Sequence, residues 1–197
     1  LIHGDYRMEN TFFDPHCVID WQLAAEAGGE SDAMYFVLQS TDPKWRKENE
    51  FDVIVHYYES LIENGVNQTE YSLLECVYGY ASSLWVELLK TGIGADDLSK
   101  AEKDATEKGS TRAFDFFKKY YVNLFDMSIK WNIDKIINLM FEKRPLGVGI
   151  SSEQMRNVLP ANIVEQIDLY DSGKGSKESS SSSSNINNGN DKTELSI

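Results

Sequence analysis

Asp5, Asn10 and Asp20 are oxygen-bearing side chains set at short intervals in His3-Gly4-Asp5-Tyr6-Arg7-Met8-Glu9-Asn10 and Val18-Ile19-Asp20-Trp21. An aspartate followed five positions later by an asparagine, with another acid downstream, suits phosphoryl transfer. The first carboxylate holds an attacking hydroxyl, and the other two side chains hold Mg²⁺ against the phosphates. Either fragment alone is a weak signal, because an aspartate after a strand also serves as a cap or turn residue. In order, and joined by the pattern between them, they specify far more.

Between Asn10 and Asp20, Thr11-Phe12-Phe13 and Cys17-Val18-Ile19 are rich in β-branched and aromatic residues and flank Asp14-Pro15-His16, which has turn composition. The pattern predicts a β-hairpin. With those three residues as the loop, Phe13 pairs with Cys17, Phe12 with Val18, Thr11 with Ile19, and Asn10 with Asp20. Opposed side chains then stand within reach of one small hard cation, of the kind that takes one or two protein oxygens and completes its shell with water and phosphate. Alternation places Phe12 and Val18 on the ligand face, as an apolar floor for a nucleotide base. A one-residue slip would break this geometry.

The stretch LIHGDYRMEN, VIDWQ and GGESDAMYF resembles the aminoglycoside phosphotransferase and choline kinase-like superfamily, including its ecdysteroid kinase-like branch, and the likeness is close over the first forty residues or so. The resemblance implies a protein-kinase-like fold and ATP-dependent transfer of the γ-phosphoryl group to a hydroxyl of a small molecule. By matching position it makes Asp5 the catalytic base, His3 a support of the catalytic loop, and Asn10 and Asp20 the Mg²⁺ ligands. Asp32 matches a family aspartate that stabilises that loop. Arg7, two positions after Asp5, stands where protein kinases place a lysine that neutralises phosphate charge, and it suits a loop salt bridge equally well. His3 likewise fits a core histidine bonded to backbone.

Kinase-like folds also require an N-terminal lobe with a nucleotide-covering loop and a strand lysine. Leu1-Ile2 reads as a strand entering the catalytic loop, which leads us to expect the C-terminal lobe of a longer protein, inactive by itself. Gly147-Val148-Gly149 lies far downstream and is expected to be a loop. The competing reading is a non-catalytic kinase-like module that binds a metabolite or partner without transfer.

With 41% hydrophobic and 26% charged residues, the 197-residue chain is long enough to bury one sizeable core. The expected class is α+β and mainly helical, a kinase-like C-terminal lobe with a short catalytic hairpin. Residues 1–170 form that lobe, with the loop and metal site in 1–36 and a helical subdomain in 42–170. Residues 171–197, rich in serine and asparagine, form a disordered tail. No apolar run reaches membrane-span length, so a cytoplasmic domain with no membrane partner is expected. A net charge of −13 argues against nucleic acid, and leaves open whether the small hydroxylated substrate is cationic. Cys17 and Cys76 read as reduced core residues, and there is no CxxC or histidine cluster for zinc.

Downstream, Asp42-Pro43 predicts a helix start, and Ile54, Tyr57, Tyr58, Leu61 and Ile62 recur at helical spacing before Gly65. Leu74 to Leu88 forms a second stripe ending near Gly92, and Ala113 to Leu124 a third. A shorter helix runs from Ile133 to Glu142. Residues 94–110, charged and without apolar period, suit a loop or a solvated helix extension. The stripes are expected to pack the core. The family resemblance implies that these helices also build part of the substrate pocket, with acids at their ends meeting a polar substrate, and Glu75, Glu87 and Asp115 are candidates with no ranking among them.

Overall fold

The computed structural model describes residues 1–109, 111–142 and 149–173, with the side chains of all these but 92–98. It is mainly helical with one two-stranded antiparallel sheet, the α+β class expected. The serine- and asparagine-rich segment from 174 onward, with Gly147 and Val148, lies outside the described residues. By internal contacts the chain divides into Leu1–Ala161 and Asn162–Ile197.

In the first unit, strands β1 (Thr11–Phe13) and β2 (His16–Val18) are followed by helices α1 (Glu30–Ser40), α2 (Pro43–Glu63), α3 (Leu73–Lys108), α4 (Arg112–Lys130), α5 (Ile133–Glu142) and α6 (Ser152–Val158). The second unit carries most of α7 (Ala161–Asp171). Helix α2 begins as expected. The Asp42 carboxylate accepts from Lys44 N at 2.9 Å and Trp45 N at 3.4 Å, and Pro43 stands where no backbone donor is required. Helix α3 starts on a capping box, in which Ser72 and Glu75 satisfy each other's backbone N–H groups.

Helix α3 does not stop near Gly92. It continues to Lys108 and ends at Gly109, whose φ of +67° gives the left-handed turn that closes a helix. An interior glycine costs only about 1 kcal/mol relative to alanine. The charged stretch beyond it is rich in good helix formers, with the ion pair Lys108–Asp104 at 2.8 Å spanning one turn. Residues 94–108 are thus the helix extension and not the loop. At 36 residues, α3 is about 54 Å long and packs against α1, α2, α4, α5 and α6.

Met34, Leu38, Ile54, Leu84, Leu124, Met127 and Ile136 are all at most 1% exposed and form the core among these helices. Cys76 is buried with them, whereas Cys17 is exposed on β2, so only one of the two cysteines is a core residue. Cysteine packs like a small apolar side chain, but a three-residue strand with exposed flanks offers it nothing to pack against.

Through that apolar core runs a polar knot centred on Glu50, itself fully buried. Glu50 Oε2 accepts from Arg46 Nη1 at 3.3 Å and Lys130 Nζ at 2.8 Å, and Oε1 from the Tyr80 hydroxyl at 3.0 Å and Trp131 Nε1 at 2.9 Å. Arg46 also reaches Asp126 and Asn123, and Asn123 Nδ2 donates to Leu38 O at 3.1 Å. One carboxylate with four donors joins α2, α3, α4 and Trp131. Such saturation is what makes a buried charge tolerable.

Candidate active site

Loop 2–10 is held from below. Ile2 and Ala25 exchange both backbone hydrogen bonds, at 2.8 and 3.2 Å, as an isolated bridge. Asp32, in the first turn of α1, accepts from His3 N at 2.6 Å and Gly4 N at 3.0 Å. Gly4 has φ of +83°, and a Cβ there would stand 2.5 Å from Leu23 O, so both backbone angle and space demand glycine. At the far end of the same helix, Ser40 Oγ accepts from Met8 N at 2.9 Å.

His3 is buried, with Nε2 2.8 Å from Ile19 O and Nδ1 accepting from Asp5 N at 3.2 Å. The two bonds require the tautomer with its proton on Nε2. The ring lies 4.7 Å from that of Trp21. His3 therefore ties the loop to the far strand of the hairpin by backbone bonds.

The Asp5 carboxylate is gripped by two neighbours. Asn10 Nδ2 donates to Asp5 Oδ2 at 3.0 Å and to Asp5 O at 2.9 Å, and Arg7 Nε lies 3.5 Å from the same carboxylate oxygen. The five-residue spacing from Asp5 to Asn10 closes because Met8–Asn10 is a 3₁₀ turn, which returns the chain over the loop. Arg7 is the loop salt bridge in this structure.

The hairpin register differs from the expected one. Thr11 pairs with Val18, Phe12 with Cys17 and Phe13 with His16, one residue out of step. His16 belongs to β2 and not to the turn, with its ring edge-on to Phe13 at 5.6 Å, so the loop is Asp14-Pro15 alone. Asn10 therefore faces Ile19, whose N donates to Asn10 O at 3.0 Å, and Phe12 shares a face with Cys17 in place of Val18. Asp20 follows immediately and leaves the strand in a left-handed conformation, φ +69° and ψ +51°, so strand alternation does not set its direction. Both residues stay at one end of the hairpin but are not cross-strand partners. Asp20 is exposed, and Phe12 is 52% exposed.

Asn10, with its Nδ2 committed to Asp5, keeps its side-chain oxygen for other use, and the Asp20 carboxylate caps nothing at the turn that it opens. These are hard oxygen donors of the kind Mg²⁺ takes, so the donor set fits. Among the described residues no group of three or more His, Cys, Asp or Glu side chains could hold a metal ion.

Beside Asp5 the structure adds residues that the motifs did not point to. Tyr35 lies one turn after Asp32 on α1. Burial raises its hydroxyl above the usual phenol range, and the charges of Asp5 and Glu87 and a hydrogen bond to Asp5 raise it further. Among the three unranked acids, Glu75 is spent in its capping box and Asp115 is exposed at the start of α4, whereas Glu87 is buried beside the loop. Glu87 Oε1 accepts from Lys90 Nζ at 2.6 Å and Oε2 from the Tyr120 hydroxyl at 3.0 Å. Two cavities meet at Tyr35, Glu87 and Lys90. One of about 190 Å³ reaches Gly4 and Asp32, and one of about 290 Å³ is walled by Phe116, Phe117, Tyr120 and Tyr121 and bounded by Arg7.

A sequence model of the ecdysteroid kinase-like family matches residues 1–69, which hold the loop, the hairpin, α1 and α2. That stretch is similar to a kinase-like family, and the match supports the kinase-like superfamily for it. No curated protein and no solved structure matches the chain. No described helix is long and apolar enough to cross a membrane.

Proposed function

We propose that this chain carries the acceptor-and-metal half of an ATP-dependent phosphotransferase that moves a γ-phosphoryl group to a hydroxyl of a small molecule. The observation that carries the reading is the Asp5–Asn10 pair, a carboxylate oriented by an amide whose oxygen stays free, within the stretch similar to the ecdysteroid kinase-like family.

In this reading the Asp5 carboxylate accepts the proton of the acceptor hydroxyl as the hydroxyl oxygen attacks the γ-phosphorus in line and the bond from that phosphorus to the β–γ bridging oxygen breaks, releasing ADP. Asn10 holds Asp5 at the angle needed. Arg7 balances the Asp5 charge and adds a cation near the phosphates. His3 and Asp32 keep the loop in register with α1, and Phe12 offers an apolar face to the base. Asn10 and Asp20 are the residues that would hold Mg²⁺, which supplies neutralisation of phosphate charge when bound.

The test is phosphoryl transfer from MgATP to hydroxylated metabolites, made with the full chain. Asp5→Asn is expected to lower turnover at least about a hundredfold, the scale of a general base, with little change in folding. Equal turnover in that variant removes Asp5 from the chemistry. A MgATP thermal shift on the chain alone reports nucleotide binding.

A further inference from the structure

Tyr35 and Gln39 lie four residues apart on α1 and so share a helix face, one turn from each other. Tyr35 meets Asp5. Gln39 lines the same 290 Å³ cavity, and its Oε1 is buried without a hydrogen-bond partner. Glu87 is matched with Lys90 and Tyr120, and Arg7 stands in an ion pair with Asp5 at 3.5 Å, although its Nε, like Gln39 Oε1, has no hydrogen-bond partner among the described residues. A buried carbonyl oxygen left unpaired is costly, and native structures rarely keep one without a reason.

We propose that this cavity holds the acceptor and that Gln39 determines its specificity, by hydrogen-bonding a second hydroxyl of an uncharged acceptor whose first hydroxyl is turned toward Asp5. The inference rests on the phosphotransferase reading. The two cations of the lining, Arg7 and Lys90, are each already paired with a carboxylate, so the site has no spare charge for an ionic acceptor. Rings of Phe116, Phe117, Tyr120 and Tyr121 suit the apolar face of a cyclic molecule. A hydroxyl is the group that satisfies Gln39 whichever way its carboxamide is turned, because it both donates and accepts.

The experiment compares binding of naphthol and of a dihydroxynaphthalene, with hydroxyls on opposite rings, to the full chain without nucleotide, by ligand-observed NMR titration. The diol is expected to bind about tenfold more tightly, the scale of one hydrogen bond. Gln39→Leu is expected to abolish that preference and to hold or raise Tm because an unpaired polar atom is removed. Gln39→Met repeats the measurement with the side-chain length kept. An absent preference in the parent chain, a preference that survives in the variants, or a clear loss of Tm in both would overturn the proposal. Because binding is read without transfer, diol selection through Gln39 in a protein that transfers no phosphoryl group upholds the cavity assignment and rejects the phosphotransferase reading. Transfer without Gln39-dependent selection does the reverse.

Discussion

Asn10 Nδ2 bridges the side chain and the main chain of Asp5, with bonds of 3.0 Å to Oδ2 and 2.9 Å to the backbone oxygen. One amide thus sets both the rotamer of a carboxylate and the path of the loop carrying it. Asn10 is 6% exposed, so these bonds form where water does not compete freely. Asn10→Ala is expected to cost about 1–3 kcal/mol of stability, the range for leaving buried partners unsatisfied. Urea unfolding checks this, and an unchanged midpoint would mean that the amide does not hold the loop.

Gly4→Ala tests the anchoring of the loop beneath Asp5. The left-handed backbone alone costs a non-glycine residue about 1–2 kcal/mol, and the new Cβ would also meet Leu23 O. A marked fall in Tm is expected. Gly109→Ala also places alanine at positive φ, but there a Cβ has open space, so the smaller loss expected there isolates the backbone term.

Asp20 separates stability from function in the opposite direction. It is exposed and holds a left-handed conformation that glycine adopts more readily. Asp20→Gly is expected to leave the fold at least as stable, while abolishing Mg²⁺-dependent nucleotide binding under the phosphotransferase reading. Nucleotide affinity equal to that of the parent would reject the metal role.

Removing Glu50 would take the shared acceptor from Arg46, Lys130, Tyr80 and Trp131 in the core and leave Arg46, among the described residues, only Asp126 as an ionic partner, at the rim. Glu50→Ala is expected to destabilise by about 3–5 kcal/mol, as for breaking one partner of a buried pair. Asp126, by contrast, sits 37% exposed at the rim of the same network. Its loss should cost clearly less, and comparing the two unfolding curves checks the order.

Glu30 predicts a pH effect. Burial raises its carboxyl above the usual value, while its backbone hydrogen bond opposes this, and the Tyr71 hydroxyl donates to it. Because the folded chain holds this proton more tightly than the unfolded one, this group's contribution to stability falls as pH rises from about 4.5 through the folded value. Glu30→Gln should remove that fall and stabilise the protein at neutral pH. Thermal melts across this range decide it, and parallel curves for parent and variant would refute the assignment.

Local signals with local causes were readable in advance. Asp42-Pro43 starts a helix because a carboxylate caps two N–H groups within three residues, and Ile133–Glu142 forms as the apolar spacing required. The hairpin register was not readable. It turns on whether His16 joins the strand or the loop, and that depends on a contact with Phe13. The burial of Arg46 and Glu50 was not readable either, since the partners that surround the pair, Tyr80 and Trp131, come from elsewhere in the chain. Tyr35 was within the quoted motif, but only the fold brings Asp5 to it. Helix α6 had a visible capping box, Ser151 with Gln154, on a segment too short to show a periodic stripe.

Helix α1 holds the loop at two points, Asp32 under His3 and Gly4, and Ser40 under Met8. Eight helical steps separate those holds, about 12 Å along a rigid rod. The helix thus works as a caliper: it fixes the span the loop must cover as well as its ends. Adding or deleting one residue between Gly4 and Met8 would force the caliper to release a jaw, even with Asp5 and Asn10 intact. The length of this segment is therefore as much a part of the site as the identity of its side chains.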